Sequence, residues 1–195
     1  FLTAGETLGL RTTANLETRV YVKELADVDI SSPGEPGVTY IMGSGFAGML
    51  PAGSPQAETL ERTYRAGARR RNVALIERIN EHLPQIALDY TADVLPLTPA
   101  GAATERHIIR AYVNKAAAVF GEGVATFWAE LLGKPVDDIT AKLGTPALEE
   151  WVRSKLAKRG GLGYVQPSVD TFPPVEDFCA WVRSCRAMPL ITWLD

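Results

Sequence analysis

A helix has to begin at Thr104, and no other stretch constrains the fold of this chain as tightly. In Thr104–Glu105–Arg106–His107–Ile108–Ile109–Arg110–Ala111 a good N-cap residue is followed by an acid in the first turn, and Ile108, Ile109, Tyr112 and Val113 recur at helical spacing. The stretch also holds one of the chain's two histidines. His107 falls in the first turn, aimed beyond the helix N-terminus, where the positive end of the helix disfavours imidazolium. A neutral imidazole there is able to bind metal. The plainer alternative is a ring that caps its own helix or packs against a neighbour.

Around this helix the chain alternates strands and helices. Arg11–Val22 has period two, with Ala14, Leu16, Thr18, Val20 and Val22 on one face and Asn15, Glu17, Arg19 and Tyr21 on the other. A carboxylate in mid-strand, Glu17, calls for a cation or a donor unless its face is solvated. After a Pro- and Gly-rich loop over residues 24–37, Val38–Met42 reads as a short strand ended by Gly43, Gly45 and Gly48. This glycine run is no dinucleotide fingerprint, because no helix with a third spaced glycine follows it. Glu58–His82 is expected to be a long helix buried along Val73, Ile76, Ile79 and Leu83. Its Arg62, Arg65, Arg69, Arg70 and Arg71 read as a solvated face or, alternatively, as a phosphate contact, and His82 reads as a surface residue at its end. Three short helices follow the Thr104 helix: Thr126–Leu132, one from Pro135 to Leu143, and one with Thr145 as N-cap, Pro146 at its first position and Gly160 as its stop. Pro174–Arg186 is a further helix. Met188–Leu194 is an apolar run of the kind found in a fully buried parallel strand. Strand–helix alternation with such a strand gives an α/β class, whose sites lie at the C-terminal ends of strands.

The net charge of −3 gives no pull toward nucleic acid or an anionic membrane, and no apolar run approaches the roughly 20 residues that span a bilayer. Neither is therefore an expected partner. Cys179 and Cys185 stand six apart on a predicted helix, which does not suit a disulfide. A reducing cytoplasm is the expected location. The chain begins at Phe1, in a stretch that reads as the tail of a helix, and stops at Asp195, directly after an apolar run that reads as a strand. It reads as a piece of a longer protein.

Several of these segments, in their order, resemble the PHP family, the polymerase-and-histidinol-phosphatase metal-dependent phosphoesterases. Thr13–Ala14–Asn15–Leu16–Glu17 is similar to the family's strand that ends in a metal-binding Glu. Glu105–Arg106–His107–Ile108–Ile109 resembles its Arg-Pro-His-Ile-Ala motif, with His107 in the ligand position. Gly160–Gly161–Leu162–Gly163–Tyr164–Val165, followed by Pro174–Val175–Glu176–Asp177–Phe178, is similar to the family's approach to a later strand. Tyr40 stands at or near a place where the family carries a histidine. Trp193–Leu194–Asp195 stands where it carries Ala-His-Pro.

The resemblance implies part of a PHP-type distorted (β/α)7 barrel, with 1–123 and 160–195 in the barrel and 124–159 a helical insertion. It implies a small phosphorylated substrate and a divalent metal (Zn, Mn or Fe) at Glu17, His107 and Asp195, with Tyr40 near the substrate. Glu suits a bridging position because it offers two oxygens at one charge, and a neutral His suits borderline metals. The remaining ligands of the family fall outside this chain, so the site within it is expected to be incomplete. Two readings stand beside the hydrolase. One is a catalytically inactive PHP-like or α/β interaction module. The other is a helix-rich domain whose Arg62–Arg71 face docks an acidic partner.

Overall fold

The alternation read in Arg11–Val22 becomes strand β1 (Ala14–Tyr21), with Leu16, Thr18 and Val20 turned to one side and Glu17 and Arg19 to the other. The computed structural model describes residues 2–98 and 101–192. They form a mixed α/β chain in two units, one drawn from the chain up to Gly67 and from Gln166 onward, the other from Ala68–Val165.

In the first unit β1 pairs antiparallel with β2 (Val38–Phe46), and β2 pairs antiparallel with β3 (Met188–Ile191), giving the order β1-β2-β3. Helix α1 (Leu2–Thr7) precedes the sheet, and α2 (Pro55–Thr59) follows β2. Ser54 caps α2 by accepting from the Ala57 N–H, with Pro55 at the first position, so this helix starts earlier than the expected Glu58. A π-helical turn, Leu60–Arg65, comes next.

The apolar face of the sheet is covered by the last helix of the chain (Val175–Ser184), which brings Phe178, Trp181 and Val182 against Val20 and Ile41. Trp181 also donates its indole N–H to the Gln56 carbonyl at 3.0 Å, tying that helix to α2. Gly43 does not end β2 as its composition suggested. The strand runs on to Phe46, and Gly43 is buried where a Cβ would lie 2.8 Å from Val182 Cγ2 and 3.0 Å from the Phe46 ring. The missing side chain is what lets the helix approach the sheet.

Met188–Leu194 departs from its reading as a fully buried parallel strand. Its described part, β3, is antiparallel to β2, and Met188 and Ile191 are 62% and 81% exposed. Periodicity registers apolar content; it does not register the direction of a partner or whether a second layer covers the strand. Trp193, Leu194 and Asp195 lie outside the described residues.

The second unit is helical: α3 (Ala66–His82), α4 (Glu105–Phe120), α5 (Val124–Leu132), α6 (Val136–Thr140) and α7 (Pro146–Leu156), with the helix over the sheet of the first unit numbered α8. Ile76, Ile79 and Leu83 of α3 and the segment after it share one buried cluster with Ile108, Ile109 and Tyr112 of α4, Trp128, Ile139, Leu148, Val152 and Leu156. The apolar residues of 124–159 thus pack with α3 and α4. Pro135 sits at the N-cap of α6, which is shorter than the run to Leu143 expected for it.

Asn80 organises the stretch after α3. Its Nδ2 donates to the Leu88 carbonyl at 2.9 Å, and its Oδ1 accepts from the Leu88 N–H at 3.0 Å and from the Tyr112 hydroxyl at 2.8 Å. One amide side chain therefore does for the backbone of Leu88 what a strand neighbour would do. Burial pushes the Tyr112 phenol above its ordinary value. Among the described residues no helix is long and apolar enough to cross a membrane.

Candidate functional site

Residues directly paired across an antiparallel ladder project to the same side of the sheet. Glu17 pairs with Met42 and Arg19 with Tyr40, so all four project from the face opposite α8. Glu17 and Tyr40 are diagonal neighbours there, one on β1 and one on β2. The Glu17 carboxylate is exposed and makes no hydrogen bond or ion pair among the described residues. Tyr40 is half-buried, and its hydroxyl makes no hydrogen bond among them.

The same face carries a charge pair. The Arg19 guanidinium donates from one nitrogen to both oxygens of Glu35, at 2.8 and 2.7 Å, and stands 4.8 Å from the centre of the Phe172 ring. Ser32 donates its hydroxyl to Glu35 at 2.5 Å. Ser31 Oγ accepts from the Tyr40 N–H at 3.0 Å. The loop over residues 31–37 is thereby anchored to the two strands that carry Glu17 and Tyr40. Sequence reasoning missed this clamp. Its one signal was Arg19 in the strand centre, a cation that burial would oblige to find an acid.

His107 belongs to the other unit, in the first turn of α4. It stands at the third helical position and closes a capping box with Thr104. The Thr104 N–H reaches Nδ1 at 3.1 Å, and Thr104 Oγ1 lies 2.9 Å from the same nitrogen. Nε2 makes no hydrogen bond among the described residues. Around it, Glu105 binds Arg153 Nε at 2.5 Å, and Arg110 meets Glu149 at 2.9 Å, joining the start of α4 to α7.

The structure thus brings Glu17 and Tyr40 onto one face and sets His107 in a separate unit. Asp195 lies outside the described residues. Among those described, no group of three His, Cys, Asp or Glu side chains could hold a metal ion. His82 is exposed at the end of α3. The basic run is divided between the units: Arg65 pairs with Glu61 at 2.7 Å in the first, and Arg69 lies 5.5 Å from the Tyr90 ring centre in the second. Cys179 and Cys185 are free thiols, both pushed upward in pKa by burial.

Comparison with protein-family models, with curated proteins and with solved structures finds no match to this chain.

Proposed function

We propose that this chain forms part of a metal-dependent hydrolase of the PHP phosphoesterase type, within a PHP-type barrel carrying a helical insertion. Support comes from the segments around Glu17 and His107 that resemble the family. The observation that carries the reading is the common face of Glu17 and Tyr40: on neighbouring strands, a carboxylate and a phenol hydroxyl that make no hydrogen bond among the described residues, with the Arg19–Glu35 pair on the same face.

Carboxylate and imidazole are donors of the kind that Zn, Mn or Fe takes. Glu17 presents a carboxylate with no partner among the described residues, His107 an imidazole whose Nε2 makes no hydrogen bond among them, and the resemblance names these two and Asp195 as ligand positions. When bound, such a cation neutralises charge on a phosphoester and acidifies the water that attacks phosphorus. The chain's own residues supply the rest. Glu17 contributes two oxygens at one charge, and Tyr40 donates its hydroxyl to a phosphate oxygen. The Arg19–Glu35 clamp holds the loop over residues 31–37 to β1 while substrate binds.

The test is metal content and hydrolysis of p-nitrophenyl phosphate by the full gene product. Bound metal and turnover are expected, with both lost in Glu17→Ala and in His107→Ala. A wild-type protein without metal and turnover, or variants that keep both, would overturn the proposal. The 195-residue chain alone is expected to show no turnover, since catalytic zinc sites, for example, use about three protein ligands and only two of the positions the resemblance names, Glu17 and His107, lie among the described residues.

A second reading, a non-catalytic PHP-like or α/β interaction module, is favoured by the open strand β3, where Met188, Leu190 and Ile191 are 62%, 41% and 81% exposed. A folded gene product lacking metal and turnover would support it.

A further inference from the structure

We infer that Lys134, Lys142 and Trp151 form a docking surface for a short acidic segment of a partner protein. The Lys134 ammonium lies 4.3 Å from the centre of the Trp151 ring, and the Lys142 ammonium 5.0 Å from it. Neither ammonium has an acidic partner or a hydrogen bond among the described residues, and the indole N–H of Trp151 has no acceptor among them. Three groups that only donate therefore meet around one ring. The ring face attracts a cation, but here two ammoniums share a single ring and repel each other. A carboxylate that reaches both offsets that repulsion and gives the donors their acceptor. The backbone holds the three positions without a partner. Lys134 follows the left-handed Gly133 that ends α5, and its N–H donates to the Ala129 carbonyl at 3.1 Å. The Lys142 carbonyl accepts from the N–H of Thr145 at 3.0 Å and from its hydroxyl at 2.8 Å. Trp151 packs against the buried cluster of the second unit. A surface fixed in this way has less order to gain on binding.

The charges and side chains around the ring select the occupant. Lys155, one turn further along α7 from Trp151, is exposed and adds a third cation with no acidic partner among the described residues. Val136 and Leu143, each within two residues of one of the lysines, are exposed apolar side chains. An aromatic ring with cations and apolar residues beside it fits a peptide that carries both acids and apolar residues. In an extended segment two acids two residues apart point the same way, about 7 Å from each other, which lets one segment engage both lysines. A nucleic acid fits less well. Its backbone is charged at every residue and meets the exposed Asp137 and Asp138 at the start of α6 as well as the lysines. The surface belongs to the second unit, whereas Glu17 and Tyr40 belong to the first.

The experiment is a nitrogen-15 NMR titration of the whole 195-residue chain with the synthetic peptide Glu-Leu-Glu-Leu-Glu-Leu, acetylated and amidated at its ends. The Trp151 indole signal is assigned by its loss in Trp151→Phe. In the wild type that signal and the amides of Lys134 and Lys142 should shift together and saturate, and added salt should weaken binding. Lys134→Gln and Lys142→Gln should each weaken it several-fold, and Lys142→Arg should keep most of it. The same peptide with glutamine in place of glutamate should leave the spectrum unmoved. Amide spectra that overlay away from residues 130–155 establish that each variant is folded. A peptide that leaves the Trp151 signal in place, or one that binds the two glutamine variants as well as wild type, would overturn the inference. So would a single-stranded oligothymidine that shifts the same signals at lower concentration than the peptide, since the surface would then be one for nucleic acid.

Discussion

Arg19 on β1 and Glu35 in the loop before β2 form a bidentate pair, one guanidinium nitrogen lying 2.8 and 2.7 Å from the two carboxylate oxygens. The two side chains are only 17% and 11% exposed. Ser32 and the Phe172 ring complete the enclosure. Removing one partner from such a pair leaves the other charged and poorly solvated. Glu35→Ala should therefore destabilise the first unit by about 3 kcal/mol, and Arg19→Met/Glu35→Leu by much less. Urea denaturation of the single and double variants checks this. A single variant within about 0.5 kcal/mol of wild type would show that the pair contributes little.

Gly43 marks the closest approach of α8 to the sheet. A Cβ there would meet Val182 Cγ2 at 2.8 Å and the Phe46 ring at 3.0 Å. Gly43→Ala should cost roughly 1–3 kcal/mol through overpacking. Adding Val182→Ala should recover part of that loss, because the two residues share one contact. A double-mutant cycle by thermal denaturation measures the coupling, and strict additivity would count against the contact.

Glu17 is exposed and has no partner among the described residues. Its replacement by Ala should leave stability within about 0.5 kcal/mol of wild type. In the full gene product the same change should remove metal and turnover. Loss of stability together with activity would assign Glu17 a structural role instead.

Burial, followed by the Asp177 carboxylate and the two cysteines, pushes the Tyr64 phenol up to about 12 from its ordinary 10.0. Its folded pKa lies above its unfolded one, so between these values the unfolded chain has released a proton that the folded chain still holds. Stability from this group is complete below pH 10.0 and declines as pH rises toward 12. Denaturant midpoints across that window should fall more steeply for wild type than for Tyr64→Phe. Parallel curves would remove Tyr64 from the alkaline loss.

Local chemistry was legible in the sequence wherever a few adjacent residues decide it. The Thr104 cap of α4, the two faces of β1, and the Thr145–Pro146 start of α7 rest on spacing and on hydrogen bonds within a turn, and each stands where the sequence places it. The plainer reading of His107 as a helix cap was legible for the same reason, since its partner is three residues away. Glycines were harder to read. Gly43 looked like a strand end, because what it accommodates, Val182, is distant in the chain.

Long-range pairing decided the rest. Whether Met188–Ile191 is parallel or antiparallel, buried or open, depends on which strand it meets and on whether anything covers it, and apolar content is the same in every case. Likewise nothing local joins Arg19 to Glu35; the segment between β1 and β2 brings them together and leaves the pair little exposed. The alternation of residues 14–21 determined that Glu17 and Arg19 share a face. Only the register of β1 on β2 decided that Tyr40 stands beside them, because register is set by backbone pairing and the packing of the opposite face under α8.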